Sequence, residues 1–264
     1  KEEELIHIKL PQEMIILRSA SDFYKEELHQ DHRQTLYELV ESVFGKAQRK
    51  LIEETYNIAY AHFGPKGLLK IDEAIKHAID LISFKKPELS LDALRAALVM
   101  EMPFENRKPI LPKSVNLLAN KIKYMVSIPY KVYDPSYVGK FLNMIKDMID
   151  TPDELLLYLT KKTSFLENVE QIDEQTHKEI VNIVASIAEY YGLDKFSDFV
   201  KDMAFRRYKL AEYQDIKSLV EKNMGMSYAQ AEVFIQDIIS ELNNKLGTEE
   251  VMGISGRVKS PSRV

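Results

Sequence analysis

Ser227-Tyr228-Ala229-Gln230-Ala231-Glu232-Val233-Phe234-Ile235-Gln236-Asp237-Ile238-Ile239-Ser240-Glu241-Leu242-Asn243-Asn244-Lys245-Leu246-Gly247 shows which period governs this chain. Ser227 can accept from the first turn of a helix, and Gln230, three residues on, can reach back to the Ser227 amide. Phe234, Ile235, Ile238, Ile239, Leu242 and Leu246 then recur at three- and four-residue spacing, and Gly247 follows as a stop. The spacing predicts a helix with one apolar face. Downstream the pattern changes: residues 249–255 alternate over a short span, which predicts one strand leading into Gly256-Arg257-Val258-Lys259.

Upstream the same helical period dominates. From Phe23 to Phe63 the apolar positions fit two helices broken near Gly45, and Ser90 is a candidate N-cap for a helix through Met100. Thr151-Pro152-Asp153-Glu154 offers a capping Thr, a proline at the first helical position and an acid three residues after the cap. That predicts a helix to Tyr158 or beyond. Prolines cluster in 63–70, 102–112 and 128–135, which are expected loops. Met144 and Met148, with Ile145 and Ile149, have the spacing of core packing.

Composition bounds the classes. With 264 residues, 45% of them hydrophobic, the chain can bury one large or two modest cores. It has no cysteine, which excludes disulfides, thiolate metal sites and a thiol nucleophile. No apolar run approaches the ~18 residues of a membrane span, so the expectation is a cytoplasmic protein. A net charge of -5 argues against broad nucleic-acid binding. The last eight residues nonetheless carry Arg257, Lys259 and Arg263 and no acid. Two cations spaced two apart in an extended segment can converge on a polyphosphate; composition alone reads the same residues as a solvated basic end.

Other candidates for chemistry are sparse. His29 and His32 stand three apart, a spacing that could hold a metal, but no further ligands accompany them and a solvated polar face is the simpler reading. His62, at the end of an apolar helical stretch, reads as a helix C-terminal or core histidine. His7, His77 and His177 have no partners at ligand spacing and read the same way. Gly64-Pro65-Lys66-Gly67 lacks the Ser or Thr of a phosphate loop and reads as a turn, and neither a Gly-x-Ser-x-Gly nor a His-Glu-x-x-His motif occurs.

Four segments in order resemble the RelA/SpoT homologues, long bifunctional synthetases and hydrolases of guanosine tetra- and pentaphosphate. Residues 183–193, Ile-Val-Ala-Ser-Ile-Ala-Glu-Tyr-Tyr-Gly-Leu, resemble that family's "LAxRLGI" helix end. Asp202-Met203-Ala204-Phe205-Arg206-Arg207-Tyr208 is similar to its "EDLAFRYL", the helix from Ser227 to Leu246 follows, and Gly256-Arg257-Val258-Lys259 matches the "GRxK" that opens the synthetase. The resemblance implies a mostly α chain: an HD-type helical bundle at 1–195, then connecting helices and the first strand of a mixed α/β nucleotidyltransferase-like domain at 196–264. It implies a GTP pyrophosphokinase that moves pyrophosphate from ATP to GDP or GTP with Mg(II), with Arg257 and Lys259 on nucleotide phosphates. Further catalytic residues are expected beyond Val264, so this stretch alone is expected to be inactive. Partners reached through other domains would be ribosome and tRNA.

The hydrolase half of the family holds Mn(II) with a His, a later His-Asp pair and a distant Asp. Ala59-Tyr60-Ala61-His62 resembles the "AxxAHxG" that precedes the first ligand. Where that ligand is expected the chain reads Leu69-Lys70-Ile71-Asp72-Glu73, Met100-Glu101 replaces the His-Asp pair, and Lys161 stands in place of the last Asp. A thioether is a poor ligand for a hard cation, and an ammonium repels one. The resemblance thus implies a lost Mn(II) site at Asp72, Met100, Glu101 and Lys161, and a pseudo-hydrolase domain with a regulatory role in the stringent response. Two alternatives stand beside it: a non-catalytic guanine-nucleotide sensor or interaction module, and a hydrolase working through displaced ligands His62, Asp72 and Glu101.

Overall fold

The computed structural model describes residues 32–63, 68–83, 89–130, 135–167 and 169–246. Among the described residues every regular element is helical and no strand occurs. The strand expected at 249–255, the phosphate-binding candidates Arg257 and Lys259, His7, His29 and the turn at 64–67 lie outside them.

Helices α1 (His32–Phe44) and α2 (Lys46–Phe63) are broken where expected, at Gly45. Its φ of 89° lies in the left-handed region, where a glycine meets no Cβ penalty. Arg49 straddles the break, bonding Glu41 at 3.1 Å and Glu53 at 2.7 Å. Then come α3 (Leu68–Ser83), α4 (Leu91–Val99), a single turn α5 (Phe104–Arg107), α6 (Lys113–Ser127), α7 (Pro135–Met148) and α8 (Pro152–Thr163), which tightens into a 3-10 turn at Ser164–Glu167. Helix α9 (Glu174–Glu179) runs through a π-helical stretch, Ile180–Val184, into α10 (Ala185–Tyr190). Helices α11 (Asp194–Tyr208), α12 (Leu210–Met224) and α13 (Tyr228–Leu246) complete the chain.

The short α4 sits at the centre, with α2, α3, α6 and α8 packed around it. Ala93, Leu94, Ala96, Ala97, Leu98 and Val99 are all buried, so this helix is apolar on nearly every side. One continuous core runs from Leu36 in α1 to Phe196, Val200 and Ala204 in α11.

The helix starts read from the sequence are present. The Ser90 hydroxyl caps α4 by accepting from the Ala93 amide at 3.2 Å, and it donates to Asp153 at 2.5 Å. Asp153 also accepts from the Ser90 amide, so the first turn of α8 holds the start of α4. Thr151 and Glu154 form a reciprocal capping box on α8. Ser227 and Gln230 do the same for α13, at 3.2 and 2.9 Å.

The C-terminus of α4 is held differently. Arg107 is buried, donates to the Val99 carbonyl at 3.3 Å and bonds the Asn120 side chain. A guanidinium on the last carbonyls of a helix meets the negative end of its dipole, which offsets the burial of an arginine with no carboxylate partner among the described residues. That burial lowers its pKa.

Several expectations need correcting. Helix α4 ends at Val99, with Met100 as its cap. The loop expected at 102–112 contains the helical turn α5. Of the four residues read as core packing in and after α7, Ile145 is buried and Met148 and Ile149 pack against the core, but Met144 is exposed, because the core stripe follows Phe141 and Ile145 and position 144 lies off it. The helix expected over Ser227 to Leu246 is present as α13; among its described side chains Phe234 is 57% and Ile238 40% exposed, and Ala231 is buried. Its start is fixed by the Ser227–Gln230 capping box.

Two stability measurements follow. Thr151→Ala is expected to lower unfolding free energy by about 1 kcal/mol, the usual worth of an N-cap side chain. Arg107→Met, which leaves the Val99 carbonyl and Asn120 without their charged donor, is expected to lower it by about 2–3 kcal/mol. Urea unfolding followed by circular dichroism reads both.

Candidate functional site

At one end of the bundle the chain leaves α4 through the turn Met100-Glu101-Met102. Both methionines are buried, at 1% and 2% exposure, so the residue between them is forced toward the surface. Glu101 there meets the side of α8: Lys161 Nζ stands 2.8 Å from one carboxylate oxygen. Lys123 of α6 stands 3.9 Å from the other oxygen and donates to the Glu101 carbonyl at 3.5 Å. Asp72 lies in the early part of α3, a helix packed against both α4 and α8.

Met100, Glu101 and Lys161 are thus brought to one place by three-helix packing, with the helix of Asp72 alongside. A buried thioether, an ammonium and a carboxylate already held by that ammonium do not suit Mn(II), which prefers oxygen and imidazole. No cluster of three or more His, Asp or Glu able to hold an ion occurs among the described residues.

Electrostatics follow the geometry. Partial burial pushes the Glu101 carboxyl up, but the Lys161 hydrogen bond and the charges of Lys161, Lys123 and Lys70 outweigh it, holding the group below the usual carboxylate range. One helical turn deeper in α3, His77 is 1% exposed and its Nε2 lies 2.9 Å from the Thr160 hydroxyl, the residue preceding Lys161. That hydroxyl donates to the Leu156 carbonyl at 2.7 Å, leaving its oxygen to accept from a neutral imidazole. Burial and then the Lys161 charge push His77 down to about 3. It is the satisfied core histidine expected from its lack of ligand partners.

His62 lies elsewhere. It ends α2, exposed, with Nδ1 3.1 Å from Asn106 of α5 and its ring edge-on to Phe63. An open groove of about 440 Å³ runs past it, lined by Asn57, Ile58, Ala61, Met102, Asn106 and Ile110. His177 is half-buried and stacks on Tyr208 with centroids 4.6 Å apart; burial, then Lys209, lowers its pKa. In α11, the segment that carried part of the resemblance, Arg207 donates to the Leu166 and Glu167 carbonyls at 2.9 and 3.1 Å and pins the 3-10 turn after α8. Its role here is structural.

Sequence reasoning missed Lys123, whose pairing with Glu101 has no local signal because it joins α6 to the end of α4. It also missed Arg107, since a lone arginine in a proline-bounded loop reads as solvated. The chain matches no known family model, and no curated protein sequence matches it. No helix among the described residues is long and apolar enough to cross a membrane.

His77 sets a pH dependence. Its folded pKa lies below the value near 6.5 of an exposed imidazole, so its contribution is complete above pH 6.5 and declines as pH falls toward 3. At pH 5 the deficit from this one group is about 2 kcal/mol, at ~1.4 kcal/mol per pH unit. Denaturant unfolding at pH 7 and pH 5 should show this loss in the unaltered chain and a shallower one in His77→Gln. An imidazole that titrates near pH 6.5 by NMR contradicts it.

Proposed function

We propose that this chain contains a cytoplasmic, RelA/SpoT-like pseudo-hydrolase domain, in which a metal centre has been replaced by an ion-paired joint between helices. In this reading the domain restrains or licenses a (p)ppGpp synthetase that transfers pyrophosphate from ATP to GDP or GTP with Mg(II), and Arg257 and Lys259 contact the ATP phosphates. Ribosome and tRNA would act through domains elsewhere in the protein.

One observation carries the reading. Glu101 and Lys161 were picked out only because motif order set them at two ligand positions far apart in sequence, and their side chains meet at 2.8 Å. Chance pairing of a turn residue with a residue of α8 is a poor explanation for that. The site's chemistry supports a regulatory rather than a hydrolytic role: its cations repel a divalent metal, while the buried Met100 and the Glu101–Lys161 contact fix α4 against α8. A domain held in one arrangement by packing can transmit strain to whatever is attached to it.

The test is direct. The unaltered chain, supplied with Mn(II) and ppGpp, is expected to release no pyrophosphate; manganese-dependent release sinks the proposal. Asp72→His, Met100→His, Glu101→Asp and Lys161→Asp introduced together are expected to create a Mn(II) site, read as loss of the free-ion electron paramagnetic resonance signal. A variant that stays folded and leaves that signal unchanged counts against the shared ancestry of the four positions.

A further inference from the structure

The groove beside His62 has two kinds of wall. Ile58 and Ala61 of α2 face Met102 and Ile110 from the other side, and this apolar lining contains no Asp, Glu, Lys or Arg. Its volume of about 440 Å³ is that of a built binding site rather than a surface dimple. Ile110 on its rim is 58% exposed and Tyr60, on the same stretch of α2, is 40% exposed. Two large apolar groups thus stand open together at one end of the bundle.

The remaining walls are polar and uncharged. Asn106 Nδ2 donates to His62 Nδ1 at 3.1 Å, which leaves the Asn106 carbonyl oxygen free to accept and the His62 Nε2–H free to donate. The Asn57 side chain makes no hydrogen bond to the described residues. Apolar walls with side-chain amides among them suit a peptide, whose side chains fill the space while its N–H and C=O groups meet the amides. A charged segment would lose its hydration there with no ion pair in return.

The chain supplies such a segment close by. Helix α1 runs back along α2, since Tyr37 packs edge-on to Tyr56 and the Arg33 guanidinium lies 5.6 Å from the Tyr56 ring. The start of α1 therefore stands beside Tyr56, next to the first groove residue, Asn57. Residues 1–31 precede α1 and lie outside the described residues. Their longest unbroken apolar run is Met14-Ile15-Ile16-Leu17, bounded by Glu13 and Arg18; the earlier apolar positions Leu5, Ile6, Ile8 and Leu10 are interrupted by His7 and Lys9. The connection 18–31 reaches ~46 Å if extended and ~21 Å if helical, whereas the groove face of α2 extends only ~9 Å beyond Tyr56, so reach is no obstacle.

We propose that the run Met14–Leu17 of the same chain docks in this groove and straps the end of α2 to α5. Those two elements are otherwise joined there by the His62–Asn106 hydrogen bond. The docked run covers Ile110 and lies against Met102, one of the two methionines that set the turn carrying Glu101. The tether makes the contact intramolecular, so an apolar run of only four residues can hold where a free peptide of that length would dissociate.

The sequence has no tryptophan, so Ile15→Trp and Ile16→Trp, made separately in the whole chain, each place a single fluorescent reporter in the run. At least one of the two is expected to emit at shorter wavelength than a solvated indole and to resist quenching by acrylamide several-fold. Adding Ile110→Asp, which puts a charge on the groove rim at an exposed position, should return emission and quenching to those of a solvated indole. Leu117→Asp, at an equally exposed leucine of α6 outside the groove, is the control and should leave the reporter protected. Protection should not change on dilution, because the contact lies within one chain. The proposal is overturned if both reporters are solvated in the otherwise unaltered chain, if protection survives Ile110→Asp, or if Leu117→Asp abolishes it equally. Protection that fades on dilution assigns the groove to a second copy and overturns it as well. Circular dichroism of each variant establishes that a lost signal is not a lost fold.

Discussion

The helix Leu91–Val99 has almost no surface left for water, and the packing around it depends on that constraint. Six of its nine residues are at most 2% exposed. A helix apolar on all sides must be enclosed, and α2, α3, α6 and α8 enclose it. Ala93, Ala96 and Ala97 let neighbours approach closely, while Leu94 and Leu98 fill the space between them; each of those leucines contributes about 1.5–3 kcal/mol by burial. So short a helix is marginal alone, and its persistence comes from this packing. Its ends must then be satisfied by side chains. Ser90 and Asp153 serve the first amides, and Arg107 serves the last carbonyl.

The position of Glu101 is a consequence. With Met100 and Met102 both in the core, the residue between them has one way out, along the surface of α8 and α6. The pair it makes with Lys161 is partly exposed, and such pairs contribute at most about 1 kcal/mol. Removing one partner is worse than losing that sum, because the other stays half-buried beside unmatched charge. The contact is better understood as fixing where charge sits than as holding the fold. The fold is held by the methionines on either side and by the leucine and alanine surfaces beneath.

What could be read from the sequence was whatever local chemistry decides. Gly45 breaks α1 from α2 because of its own backbone freedom, and Ser90, Thr151 and Ser227 begin helices through bonds that reach three residues. What could not be read was set by a third helix. Met144 has core spacing and faces solvent; Phe234 and Ile238 form an apolar face that the described residues leave uncovered. His77 gave no hint of its partner, since Thr160 comes from another helix far along the chain. At the candidate site, motif order singled out positions 101 and 161, but neither their pairing nor the presence of Lys123 and Lys70 could come from order alone. Side-chain convergence is a property of the packed bundle.

The sign of the charge at the site separates the remaining readings. A hydrolase working through displaced ligands needs His62, Asp72 and Glu101 to share one ion. His62 is engaged by Asn106 at the end of α2, and Glu101 is engaged by Lys161. A divalent cation arriving at Glu101 would have to displace the Lys161 ammonium and then remain beside it, with Lys123 and Lys70 still acting on the same carboxylate. Each of those charges raises the energy of a bound metal and lowers that of a bound anion. A lysine at position 161 therefore sets a local field that opposes a bound cation.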